Sequence, residues 1–241
     1  MKVSFPVLLS SQVAIKNRLD SVAHNVANSR TVGFREEGTR FESILTQAAD
    51  KTVAYSSKGK TFISRQSGSM FKTGNMLDVA IQGEAWMALR SPSGTIYTRD
   101  GRMRILPTGD LQSLTGHPVL DVSGSPLTLN AEDGPVKIAH DGMITQAGKQ
   151  IGAIGLFAIP ENAKLTRADT SGVIPDREAI PVIEFTSNGF VQGSIEQSNV
   201  NPILELARLI EVTRAFESLN SMSEQLEKST TDAIKTLGSR S

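Results

Sequence analysis

The stretch from Asn201 to Ser241 constrains this chain more than any other. After Pro202 it holds no proline, and no glycine before Gly238. Val212, Ala215, Leu219, Met222, Leu226 and Ala233 recur at alternating steps of three and four, with Ser229 in the remaining slot. Such steps keep side chains on one face of a helix, so the pattern predicts a long helix with a narrow heptad seam. Glu211, Arg214, Glu217, Glu224, Glu227, Lys228 and Asp232 lie between the seam positions. A helix with so thin an apolar stripe is marginal alone in water. It needs a partner helix.

A second narrow seam runs through residues of about 6 to 28, where Leu8, Gln12, Ile15, Leu19, Val22 and Val26 again step by four and three. Pro6 suits the first turn, where a missing N–H costs nothing. Asn25, Asn28, Ser29 and Gly33 mark the exit, because Asn and Gly accept left-handed backbone. Charge here is mostly positive (Lys2, Lys16, Arg18, Arg30 and Arg35 against Asp20), and the C-terminal helix is slightly acidic. The two chain ends are therefore mates, within one subunit or between subunits, and their charges set register more than affinity. The N-terminal apolar run is broken by Pro6 and ends at Ser10. That is short of a cleavable secretory signal, so we read the segment as part of the mature protein.

Between the helical ends the chain changes character. From about 36 to 77, charged and small polar residues dominate, and Phe41, Ile44, Leu45, Phe62, Ile63 and Phe71 are scattered without a sustained period. An extended connector is expected there. From about 78 to 185, short runs rich in branched and aromatic residues alternate with turn signals roughly eight to twelve residues apart, which predicts an all-β sandwich or barrel-like domain. Ser91-Pro92-Ser93-Gly94 is one turn, and Asp100-Gly101 reads as a two-residue hairpin. The last and most apolar strand is expected at about 151–159, a loop at about 160–180 and a return at about 190–195. The expected fold class is α+β, with terminal helices forming a coiled-coil-like helical domain and an inserted all-β domain. Its expected boundaries are 1–35, 36–77, 78–185 and 186–241.

Composition removes several function classes. Lys plus Arg equals Asp plus Glu at 25 each, which argues against nucleic-acid binding through a broad basic field and against polybasic membrane attachment. No stretch approaches the ~20 apolar residues of a membrane-spanning helix. The absence of cysteine excludes disulfides, thiolate metal sites and cysteine nucleophiles. Gly59-Lys60-Thr61 lacks the earlier glycine of a phosphate-binding loop, since position 54 is alanine. Ser57-Lys58-Gly59-Lys60 and Lys72-Thr73-Gly74 mimic motifs of penicillin-binding enzymes but lie too close together for that fold. His24, His117 and His140 have no ligand-like spacing. Asp100, Asp133 and Asp141 each precede a glycine, so turn formation accounts for them. No nucleophile, base and orienting group converge, and no enzyme, cofactor or metal site is expected.

Several stretches resemble the flagellar rod and hook protein family, the axial proteins of the bacterial flagellum. Asn25-Val26-Ala27-Asn28-Ser29-Arg30-Thr31-Val32-Gly33-Phe34-Arg35 looks like its N-terminal signature, carried by Asn25, Ala27, Asn28, Thr31, Gly33 and Phe34. Gln192 to Pro202, followed by Leu209 to Glu217, resembles its C-terminal block. Thr73 to Gly83 and Tyr97-Thr98-Arg99-Asp100-Gly101 are also similar. Trp86-Met87 stands where a Gly-Phe-Phe-like run is more usual, and His24 where asparagine is common. The length and the Asn201-Pro202 form look most like a proximal-rod member, with a distal-rod member as the alternative.

The resemblance implies a structural subunit of the basal-body rod, exported unfolded through the flagellar type III apparatus without a cleaved signal. Its partners are then other rod proteins and copies of itself, with no nucleic acid and no direct membrane insertion. The seam residues Leu8, Ile15, Leu19, Val22, Val26, Val212, Ala215, Leu219, Met222, Leu226 and Ala233 are the expected subunit interface, although two helices closing within one monomer give the same periodicity. A secreted, non-enzymatic β-domain binder with helical tails is the other function class.

Overall fold

A computed structural model describes residues 4–40, 43–48, 51–56, 59–130 and 132–238. The chain divides into two compact units: Met1–Ala27, Glu37–Phe62 and Asn201–Ser241 form unit 1, and Asn28–Glu36 with Ile63–Val200 form unit 2.

Unit 1 is built on α1 (Ser4–Ala27) and α2 (Pro202–Gly238). Asn201 caps α2, its side-chain Oδ1 accepting the backbone N–H groups of Ile203 and Leu204 at 3.1 and 3.2 Å. Pro202 takes the first helical position, where its fixed φ costs nothing. Gln12 Nε2 donates to Asn220 Oδ1 at 3.1 Å, and Asn25 Nδ2 donates to Glu205 Oε2 at 3.2 Å. One index rises as the other falls, so the helices pack antiparallel. At 1.5 Å per residue, the 24 residues of α1 span about 36 Å and the 37 of α2 about 55 Å. On this register Ser4 reaches the level of about Glu227, and the last turns of α2 run past the end of α1.

The expected connector is not featureless. Unit 1 also holds β1 (Glu37–Arg40), β2 (Ser43–Ala48), β3 (Lys51–Ser56) and all but the last residue of β4 (Lys60–Ile63). β1 pairs with β4, and β2 with β3 as an antiparallel hairpin running from Ser43↔Ser56 to Ala48↔Lys51. Arg40 lies over the Phe62 ring at 5.6 Å. Short strands in a polar, weakly alternating stretch give little periodic signal.

Unit 2 is all β: β5 (Met70–Lys72), β6 (Val79–Gln82), β7 (Trp86–Ser91), β8 (Gly94–Thr98), β9 (Met103–Ile105), β10 (Leu111–Ser113), β11 (Val136–Ile138), β12 (Met143–Gln146), β13 (Lys149–Ala153), β14 (Leu156–Ala158), β15 (Leu165–Arg167), β16 (Gly172–Pro175), β17 (Ile180–Pro181), β18 (Gly189–Gln192) and β19 (Ser194–Glu196). A six-stranded sheet runs β15-β16-β8-β7-β14-β17, and smaller sheets pair β9 with β10, β11-β12-β13, β6 with β18 and β5 with β19. Side chains alternate across a strand, so β7 divides two cores. Met87 and Leu89 join Val79, Ile81, Ile96, Ile144 and Leu156 on one side. Trp86 and Ala88 join Leu120, Phe157, Leu165 and Val173 on the other. A strand buried on both faces reads as the continuous apolar run Trp86-Met87-Ala88-Leu89.

Three strand expectations are corrected. Pro92-Ser93 is a true hairpin turn, with Ser91 paired to Gly94, but Asp100-Gly101 is not. β8 pairs with β7 and β16, and β9 pairs with β10. Gly101 instead permits a close crossing: its carbonyl accepts Val79 N–H at 3.0 Å, and a Cβ there would sit 1.9 Å from Val79 O. The apolar run at 151–159 is split into β13 and β14, and the expected loop at 160–180 carries β15 and β16.

Candidate assembly interface

The predicted seam is partly covered within one chain. Leu8, Val22 and Val212 are buried inside unit 1. Ile15, Leu19, Val26, Ala215, Leu219 and Leu226 are half-buried, while Met222 stays 50% exposed. Ala233 lies outside the residues whose side chains are described. Within the chain, α1 and α2 thus cover part of the seam for each other and leave part of it half-buried or bare.

A polar joint interrupts the apolar packing. Asn25 and Glu205 are each 1% exposed. Asn25 Nδ2 donates to Glu205 and, at 2.9 Å, to the Glu37 carbonyl, while its Oδ1 accepts Glu37 N–H at 2.8 Å. Arg208 pairs with Glu205 from the next turn. The Glu205 carboxylate also sits in the first turn of α2, where the helix dipole favours a negative charge. A polar group buried in a helix pair can match its partner in only one register, so this joint fixes how α1 and α2 slide.

A different face remains apolar and open. Ile203, Leu206 and Ile210 step by three and four and are 80%, 48% and 56% exposed. At about 100° per residue, Glu205 and Val212 lie about 200° from Ile203 and Ile210 respectively. The first turns of α2 thus bury one side, with Glu205 and Val212, within the chain and leave an aliphatic side bare. On α1, Leu9 and Val13 share an exposed face. The heptad reading missed this second stripe because it followed one seam. The signal was the density of aliphatic residues at 203–210, too high for a single face.

The N-terminal signature is divided between the units. Asn25 and Ala27 belong to unit 1, whereas Asn28, Thr31, Gly33 and Phe34 belong to unit 2. Asn28 organises a turn, its carbonyl accepting Thr31 N–H at 3.0 Å and its side chain Thr31 Oγ1 at 3.2 Å. Gly33 has φ +68°, and a Cβ there would meet Asp100 N at 2.3 Å. Phe34 is fully buried beneath the Arg167 guanidinium, 4.4 Å from its ring centroid.

Residues quoted from three separate similar stretches meet in a buried charge node. Glu196 Oε1 pairs with Arg35 Nη2 at 2.8 Å, and Glu196 Oε2 with Arg99 Nη2 at 2.5 Å and Arg99 Nε at 2.7 Å. Arg99 also donates to the carbonyls of Ile81, Gly83 and Ala85. Both guanidiniums lie over the Trp86 ring, at 5.6 and 6.0 Å. Burial pulls the Arg35 guanidinium down to about 10, with Glu196 pushing it up and Arg99 pushing it further down. Burial likewise lowers Arg99, against the pull of Glu196. Sequence reasoning noticed each residue separately and had no means of pairing them.

Catalytic or metal chemistry finds no frame among the described residues. No three His, Asp or Glu side chains could hold a metal ion there, and no helix there is long and apolar enough to cross a membrane. His24 faces Glu37 at 3.5 Å, His117 faces Asp169 at 3.8 Å, and His140 bonds the Phe185 carbonyl. Asp100 is held by Arg102 at 2.7 Å, and Asp141 accepts Met143 N–H in its own turn.

Comparison with known proteins agrees with this architecture. Residues 80–146 match the family described as flagellar hook protein FlgE/F/G D1 domain, and residues 191–234 match the flagellar basal body rod FlgEFG protein C-terminal family. The flagellar basal-body rod protein FlgF of Mesorhizobium japonicum is 45% identical over the whole of both chains, and that of Rhizobium meliloti is 40% identical over 99% of each. The flagellar basal-body rod protein FlgG of Bacillus subtilis is 26% identical over 87% of this chain and 89% of its own. Identity at this level along the full length means that the chain belongs to the flagellar basal-body rod protein FlgF family, whose members are structural subunits of the rod and not enzymes.

Proposed function

We propose that the subunit enters the rod with its α1–α2 pair already closed and joins its neighbours through the outer stripe Ile203, Leu206 and Ile210. The observation that carries this is the bare aliphatic face on α2, opposite the face buried against α1. A growing tube needs head-to-tail contacts between unlike surfaces, and a helix pair apolar on two sides offers one surface to its own subunit and one to the next. Burying each of these side chains contributes on the order of 1.5–3 kcal/mol. Neighbours are other rod and hook proteins and copies of this chain, in the proximal rod. There the tube transmits torque, and the β unit adds lateral stiffness. Delivery without a cleaved signal, through the flagellar type III apparatus to the periplasmic part of the basal body, completes this reading.

Replacing Ile203 and Ile210 together by aspartate tests it. The purified subunit keeps its helix content and melting behaviour, because both positions face water, whereas cells carrying the variant lose motility and build no complete rods. Normal swimming by that variant overturns the assignment of this face.

A further inference from the structure

We propose that residues 194–200 form a closing strap: unit 2 locks only when Glu196 enters between Arg35 and Arg99, after its central sheet has formed. The strap is the middle of three segments that are far apart in sequence. On one side, the Glu196 carbonyl accepts Gly33 N–H at 2.8 Å, and Asn199 Oδ1 accepts Glu36 N–H at 2.6 Å. On the other, Ser69 O accepts Gln197 N–H at 2.9 Å, Glu196 Oε1 accepts Gly68 N–H at 2.9 Å, and Asn199 Nδ2 donates to Gln66 O at 2.8 Å. Among the described strands, β5 pairs only with β19. A Cβ at Gly68 would lie 1.9 Å from Gln197 O, so the strap seats against bare backbone.

The order of closure follows from charge. Without Glu196, bringing Arg35 and Arg99 together at the Trp86 ring strips water from two like charges with no carboxylate between them, and unpaired buried charges are strongly unfavourable. The segments carrying them stay hydrated until the strap arrives. The pairings β7–β8, β8–β16 and β7–β14 involve no strap residue and form first. A chain made from its N-terminus exposes 194–200 after every other strand of unit 2, so the lock waits for the nearly complete chain. That delay also suits a subunit threaded unfolded, and this clause alone rests on the export reading above.

Trp86, the single tryptophan, reports on the lock directly. In refolding of the full-length wild-type chain with pulsed amide labelling, the amides of β7, β8, β14 and β16 gain protection first. Those of Gly33, Glu36, Gly68 and Gln197 follow together, in step with the final change in Trp86 emission. In the folded E196Q variant, those four amides exchange on the order of 100-fold faster while the central sheet keeps its protection. The triple variant R35M/R99M/E196M, which removes every charge of the node, restores slow exchange. Protection of strap and sheet in one phase in the wild type overturns the proposal, as does an even loss across unit 2 in E196Q. Refolding in vitro is independent of rod assembly, so failure here leaves the rod assignment standing, and normal motility of the Ile203/Ile210 variant leaves the strap standing.

Discussion

The two units solve the burial problem in opposite ways. Unit 2 surrounds β7 with apolar partners on both faces and encloses even its charges, joining Arg35, Arg99 and Glu196 into one node. Unit 1 covers one face of α2 and leaves Ile203, Leu206 and Ile210 in water. Unit 2 is not sealed either, with Ile180 and Ile183 at and beyond the edge strand β17 being 60% and 86% exposed. Its bare residues flank a short edge strand, whereas those of unit 1 recur at helical spacing as a stripe. On the proposal above, that stripe is what takes the next subunit.

The largest test of this contrast is a cavity in unit 2. Leu156 is fully buried in the core shared with Met87 and Ile144. Leu156→Ala removes about 2–5 kcal/mol, because the surrounding sheet cannot collapse onto the void. Chemical denaturation followed by Trp86 fluorescence should shift by that amount, while far-UV circular dichroism of the helices shifts little. If both signals move together, the units are not separate in stability and the contrast fails.

Removing the polar joint of unit 1 is a smaller perturbation of the other kind. Asn25→Ala leaves Glu205 and the Glu37 N–H without their buried partner and costs about 1–3 kcal/mol. The helical transition should fall while the Trp86 transition stays in place. A helix pair that keeps both its stability and the Gln12–Asn220 contact after this change would show that the joint does not set register.

The sequence made the helices legible and the joints illegible, for physical reasons. A heptad seam is written locally, since residues three and four apart share a face, and Leu8, Val22 and Val212 proved to be inside as their spacing implied. Short strands carry no such record, whether they pair with a neighbour, as β2 does with β3 and β15 with β16, or with a distant segment, as β16 does with β8. Thus the strands β1 to β4 passed as a connector and β15 and β16 as a loop. Asp100-Gly101 misled for a related reason. The dipeptide is as good for a close backbone crossing as for a hairpin, and only the position of Val79 decides between them. The charge node lies furthest from legibility, because 35, 99 and 196 have no sequence relation until the strap is in place.

Alkaline titration gives the smallest effect and separates by sign two groups of unit 2, the half-buried Tyr97 and the buried Arg35. Burial raises the Tyr97 phenol above its ordinary value, with help from the Glu178 charge. Its folded value exceeds its unfolded one, so its contribution is fully present below about pH 10 and is lost as pH rises through the folded value. Arg35 does the reverse. Its folded value of about 10 lies below that of the unfolded chain, so above about pH 10 the unfolded chain binds more protons and stability rises with pH there. The two partly cancel in the wild type. Tyr97→Phe removes the falling part and keeps the ring beside Phe157, whose centroid is 5.6 Å away. From about pH 10 upward, the variant's Trp86 transition should therefore hold or climb relative to the wild type. An identical pH dependence in both proteins would mean that the phenol does not titrate differently on folding, and that the outer part of this core is wetter than its packing indicates.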